Sequence, residues 1–62
     1  MDVIPKYVLK AKDITAALWQ MIRKTFPTKY RKMREEIKRS GQDRVRFEFD
    51  ENFKPLGAII SV

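Results

Sequence analysis

The 62-residue chain contains neither cysteine nor histidine. Without cysteine it has no disulfide framework and no thiolate metal site. Without histidine it lacks both the commonest metal ligand and the usual acid–base group at neutral pH. Because serine and cysteine nucleophiles usually depend on a histidine base, we expect no enzyme activity, no metal site and no cofactor.

Long apolar runs and glycine clusters are also missing. No stretch approaches the roughly 20 apolar residues that a membrane-spanning helix needs. Residues 1–5 lack the charged start and the apolar segment of a secretory signal. The two glycines, Gly41 and Gly57, stand alone, which excludes a glycine-rich phosphate loop. We therefore expect a cytoplasmic protein that does not span a membrane; a peripheral membrane protein would need an exposed apolar helix face beside its cations.

The length allows one small domain, residues 1–62. A chain of this size is near the lower limit for a self-supporting apolar core, and it has no disulfide to reinforce that core. The core must therefore come from apolar packing, which a second copy of the chain would extend. A homodimer is accordingly expected.

Residues 3–12 alternate in a pattern typical of a short strand. The segment from Lys6 to Lys10 fits best, and Pro5 restricts it to an edge or to the start of a strand. The same residues also suit an ordered arm that lies over the helices. The sequence leaves both alternatives open.

Two amphipathic helices are predicted next. The first begins after Asp13, whose carboxylate can accept hydrogen bonds from the free N–H groups of the first turn. Its apolar face recurs at spacings of three and four residues. This face consists of Ile14, Ala17, Leu18, Met21 and Ile22. Pro27 ends or kinks the helix because proline disfavours the helical conformation of the residue before it.

The second helix is predicted to restart near Thr28, which is a candidate cap. It ends at Ser40 and Gly41, where glycine can adopt a positive φ. Glu35 and Arg39 have the i, i+4 order that favours an ion pair. The apolar stripe of this helix is Tyr30, Met33 and Ile37.

A period-two pattern replaces the helical one after residue 41. Val45, Phe47 and Phe49 alternate with charged residues, which predicts a strand with one apolar face. The apolar run over residues 56–62 is predicted to return as its hairpin partner. The fold class is therefore α+β, with an N-terminal arm or short strand, two helices separated by a Pro-containing turn, and a C-terminal β-hairpin packed on the helices.

The predicted hairpin turn contains two unusual residues. Phe53 stands where glycine is often found, so a positive φ at this position would strain the backbone. Pro55 cannot donate to a strand ladder, and it therefore places the start of the returning strand at an edge or a bulge.

Two helices separated by a Pro-containing turn and followed by a hairpin resemble, in outline, winged-helix and helix-turn-helix proteins. The chain is short for a winged helix, and the first helix of that fold would be missing or replaced by the N-terminal arm. The resemblance is one of topology, and topology alone does not establish function.

Basic side chains are concentrated in the middle of the chain. Residues 23–46 hold ten basic and three acidic side chains, whereas the remainder holds four basic and five acidic ones. The net charge of +6 therefore belongs to the second helix and its two flanks. With the apolar stripe turned inward, Arg31, Arg34 and Lys38 line one side of this helix.

A basic helix side of this kind would bind nucleic acid mainly through counterion release. The leading hypothesis is a small, non-enzymatic and regulatory nucleic-acid-binding protein, for either DNA or RNA. The candidate contact residues are Arg23, Lys24, Arg31, Lys32, Arg34, Lys38, Arg39, Arg44 and Arg46. The alternative is a solvated helix face in which Glu35 and Glu36 form surface pairs.

The aromatic residues suggest a second functional hypothesis. Trp19 lies off the main apolar stripe of the first helix, with Phe26 seven residues later, and Phe53 lies at the hairpin tip. These side chains either cover the hairpin and arm or form a protein interface, where tryptophan is a common anchor. The second hypothesis is thus an adaptor or inhibitor that docks through the Trp19 and Phe26 patch, or binds an acidic protein surface through the basic helix.

Overall fold

The computed structural model describes residues 4–60. Residues 1–3, and residues 61 and 62 of the predicted second hairpin strand, lie outside that range. The elements in chain order are strand β1 (Tyr7–Lys10), a 3-10 turn (Ala11–Asp13), helix α1 (Ala16–Thr25), helix α2 (Pro27–Ser40), strand β2 (Val45–Phe49) and strand β3 (Pro55–Ile60). The predicted α+β class is confirmed.

The three strands form one antiparallel sheet in the order β1-β2-β3. The N-terminal segment is therefore a strand rather than an arm over the helices, and β1 lies at an edge, as the proline before it predicts. Its register pairs Tyr7 with Phe49 and Lys10 with Arg46. On the other side of β2, Val45 pairs with Ile60.

The core lies between the helices and one face of the sheet. The alternation predicted for β2 is confirmed, because Val45, Phe47 and Phe49 are all buried whereas Arg46 is exposed. Met33 of α2 and Ile22 of α1 are buried against them. The whole buried cluster is Ala11, Ile14, Ile22, Met33, Val45, Phe47 and Phe49.

The predicted start of α1 is wrong by two residues. Asp13 ends the 3-10 turn, and Thr15 is the N-cap, with its hydroxyl oxygen accepting a hydrogen bond from the N–H of Leu18 at 3.2 Å. Ile14 has an extended backbone, precedes the N-cap residue and is buried. Ala17, which was predicted on the apolar face of the helix, is exposed. Asp13 and Thr15 both suit a cap, and the position of buried Ile14 decides between them.

Helix α2 begins at Pro27, one residue before Thr28, so its predicted start is confirmed while the predicted cap is wrong. Its N-cap residue is Phe26, and Thr28 makes no capping hydrogen bond. Proline is favoured at the first helical position because its missing N–H would have no partner there. At the other end Gly41 has a φ of 88°, as predicted, and its N–H donates to the carbonyl of Ile37 at 2.7 Å.

The hairpin turn is built on Asp50. Its carboxylate accepts hydrogen bonds from the N–H groups of Asn52 and Lys54 at 2.8 and 2.9 Å. Phe53 has a φ of 60°, so the strain predicted for this residue is present. The ring of Phe53 stacks on Tyr7 with a centroid distance of 4.6 Å, and this contact offsets part of the strain.

The N-cap of α1 provides a direct stability test. Replacement Thr15→Ala is expected to lower the free energy of unfolding by about 1 kcal/mol, because the N–H of Leu18 loses its side-chain partner. Replacement Asp13→Ala is the matched control and should change it by less than about 0.5 kcal/mol. Urea denaturation measures both values, and a larger effect for Asp13→Ala would contradict the assignment of the cap.

Candidate nucleic-acid interface

Four cations from the two helices converge on one groove. Arg23 lies in the last turn of α1, and Arg31, Arg34 and Lys38 follow one side of α2 at spacings of three and four residues. The groove encloses about 430 Å³. It is lined by Arg23, Pro27, Tyr30, Arg31, Arg34, Glu35 and Lys38, and we call it the cationic groove.

Two of these cations lie over aromatic rings. The guanidinium carbon of Arg34 lies 5.3 Å from the ring centroid of Trp19, and that of Arg23 lies 6.0 Å from the centroid of Tyr30. Trp19 in turn meets Tyr30 edge-on at 5.7 Å. Cation–π attraction thus holds both guanidinium groups at the groove while leaving their N–H donors available.

Carboxylates neutralise little of this charge. Among residues 4–60 the one ion pair joins Arg39 to Glu36 at 2.6 Å, and it lies outside the cationic groove. The predicted i, i+4 partner Glu35 is therefore not the one that Arg39 uses. Glu35 is the single acidic residue lining the cationic groove, so four basic side chains there face one carboxylate.

The other side of α2 has a different character. A second groove, of about 450 Å³, lies between α2 and β3, and we call it the β3 groove. Its charged lining residues are Lys29, Lys32, Glu35, Glu36 and Arg39. Three cations face two carboxylates there, and one of these carboxylates, Glu35, also lines the cationic groove. The formal charge is thus +1 in the β3 groove and +3 in the cationic groove, so the positive potential is stronger on the α1 side.

The remaining predicted contact residues are dispersed. Arg46 lies on the sheet face opposite the helices, where it lines a small cleft with Lys10 and Asp13. Lys24 is exposed on α1, and Arg44 is exposed in the turn before β2. The structure therefore brings together four of the nine predicted residues and separates Arg46 from them.

The three aromatic residues predicted as a protein interface are not freely exposed. Trp19, Phe26 and Phe53 are all half-buried and pack against the core. Trp19 contacts Phe47 of the hairpin edge-on at 6.4 Å, which agrees with the alternative in which it covers the hairpin. The stacked ring of Tyr7 covers Phe53. Part of each of the three rings is therefore used inside the fold.

Tyr30 is a lining residue that sequence reasoning placed only in the core. It is half-buried, and it touches both the core and the cationic groove. Its contact with Arg23 depends on the angle between α1 and α2, and no spacing within one helix predicts that contact.

Residues 4–60 contain neither a metal-ligand cluster nor a membrane-spanning helix. Within that range no group of three or more metal-ligating side chains comes together. No helix in the described part of the chain is long and apolar enough to cross a membrane.

The stacking of Arg34 on Trp19 can be tested with the single tryptophan as its own probe. Replacement Arg34→Gln should shift the Trp19 emission to longer wavelength, because water replaces the guanidinium over the ring. It should also lower the free energy of unfolding by about 0.5–1 kcal/mol. Arg31→Gln removes the same charge from the same groove, and it should leave the emission unchanged. Equal spectral shifts in both variants would contradict the stacking.

Comparisons with known proteins do not identify the chain: no protein-family model, no curated protein and no solved structure gives a significant match.

Proposed function

We propose that the protein is a small, non-enzymatic nucleic-acid-binding protein that works in the cytoplasm and engages phosphates in the cationic groove. The observation that carries the proposal is the convergence of Arg23, Arg31, Arg34 and Lys38 opposite the lone carboxylate of Glu35. Arginine forks match phosphate oxygens in geometry and in charge. Neutralising phosphates releases condensed counterions and so favours binding.

Two features of the groove support binding of a nucleic-acid backbone. The basic side chains of α2 extend from Arg31 to Lys38, which is about two helical turns, or roughly 10 Å at 1.5 Å per residue. A strand of nucleic acid presents several phosphates over that length, whereas one small anion would meet one or two of the cations. In addition, Arg23 and Arg34 already lie against aromatic rings. Fewer side chains therefore lose conformational freedom when a ligand binds, which lowers the entropic cost of binding.

The adaptor hypothesis has weaker support. An anchor at a protein interface needs an accessible apolar surface, and Trp19 and Phe26 use much of theirs in the core. Binding of the basic helix to an acidic protein surface rests on the same cations as nucleic-acid binding. The experiment below distinguishes the two, because it uses purified nucleic acid.

The salt dependence of binding tests the proposal. Fluorescence anisotropy with labelled single-stranded and duplex DNA and RNA should give a log–log slope of affinity against salt of about −3 to −4, as expected for four phosphate contacts. The double variant Arg31→Gln with Lys38→Gln should reduce the size of this slope by about two. Both side chains are exposed, and this variant leaves the contact between Arg34 and Trp19 intact.

The matched control carries Lys12→Gln with Lys54→Gln. Both lysines are exposed and lie outside the groove, and their loss lowers the net charge by the same amount. The control should keep most of the wild-type affinity and slope. Equal losses in the two double variants would show that net charge, and not the groove, governs binding. Absence of binding to all four nucleic acids at low salt would overturn the proposal and leave an acidic protein as the partner.

A further inference from the structure

The outer edge of β3 differs from an ordinary edge strand. Strand β2 is central, so β3 pairs on one side only. Its six residues, PLGAII, carry no charge, whereas the opposite edge strand β1 ends in Lys10 and follows Lys6. Edge strands usually carry lysine or another charge that prevents pairing with a further chain. β3 has no such charge, and its proline and its irregular register both lie at the end next to the hairpin turn, so residues 57–60 are unprotected.

The hydrogen bonds show which backbone groups of β3 are free. The carbonyl of Phe49 accepts from the N–H of Lys6 at 2.8 Å, so the backbone groups of Phe49 and Phe47 point to β1. By strand alternation Glu48 and Arg46 point to β3 and bond their partners there, which are residues 57 and 59. Residues 58 and 60 consequently direct their N–H and C=O groups to the open edge.

The side chains along this edge are also incompletely covered. Ile59 and Ile60 lie on opposite faces of β3 and are 43% and 41% exposed. On the helix side, Ala58 and Ile60 form part of the apolar floor of the β3 groove, beside buried Phe47. A further strand added at the edge would cover this floor and pair the free backbone groups at the same time.

We infer that the added strand is β3 of a second copy of this chain, in antiparallel register about a two-fold axis. An uncharged strand is complementary to itself in this arrangement. The two α2 helices then lie antiparallel on one face of a six-stranded sheet. The side of each α2 that faces the partner is then the one on which two carboxylates offset three cations, so like-charge repulsion across the interface is small.

The position of the cationic groove is compatible with such a dimer. It lies on the α1 side of α2, away from β3. The excess positive charge of each copy is therefore directed away from the interface, and it opposes association only weakly at physiological salt. The dimer does not depend on nucleic-acid binding and can be tested in its absence.

Sedimentation velocity of the full chain, from micromolar to millimolar concentration, tests the inference. The wild type should pass from monomer to dimer over this range. Replacement Ile60→Lys should weaken the dimer about 100-fold, because each copy then places a charge on the pairing edge. Replacement Val8→Lys is the matched control, since Val8 is a 51% exposed apolar residue on the opposite edge strand, and this variant should dimerise like the wild type.

Amide hydrogen exchange on the unsubstituted chain gives a second readout that does not depend on any variant folding. The N–H groups of residues 58 and 60 should become protected as the concentration rises, while those of residues 57 and 59 should be protected throughout. A chain that stays monomeric to millimolar concentration would overturn the inference. So would a dimer that Val8→Lys disrupts and Ile60→Lys does not, or one that leaves the exchange at residue 58 unchanged.

Discussion

The packing of Trp19 is the contact on which both the core and the cationic groove depend. Its ring meets Phe47 of the sheet and Tyr30 of α2 edge-on, and the guanidinium of Arg34 lies over it. One side chain of α1 thus joins the hairpin, the second helix and a cation of the groove. The same side chain therefore contributes to the apolar packing of the fold and to the position of a charge in the groove.

Helix α2 separates two surfaces of unequal charge. Its α1 side carries Arg31, Arg34 and Lys38 with little neutralisation, whereas its β3 side mixes Lys29, Lys32 and Arg39 with two carboxylates. Met33 is buried beneath both surfaces. When the helical period turns the apolar stripe of α2 inward, mostly basic side chains fall on one flank of the helix. Basic and acidic side chains together fall on the other flank. The proposed nucleic-acid site uses the first surface, and the proposed dimer uses the sheet edge beside the second.

Period and turn chemistry were enough to predict most of the fold from the sequence. The alternation of Val45, Phe47 and Phe49 predicted β2, the stripe of α2 predicted its buried side, and Gly41 predicted where that helix ends. The choice between Asp13 and Thr15 as a cap needed the position of Ile14, which is a tertiary fact. In the same way the flank of three cations was predictable from one helix, but Arg23 joins it only through the angle between the helices. The separation of Arg46 follows from strand alternation once the helices are placed on one face of the sheet.

The connection between α1 and α2 is a single residue, Phe26, which packs against the core and is followed at once by Pro27. A hinge needs backbone torsions that can change without loss of packing, and this connection offers almost none. The helices on the two sides of the cationic groove are therefore joined by a short connection that is packed against the core. If the groove binds nucleic acid as proposed, the backbone on both of its sides is in place before binding, and the association rate depends mainly on diffusion and ionic strength.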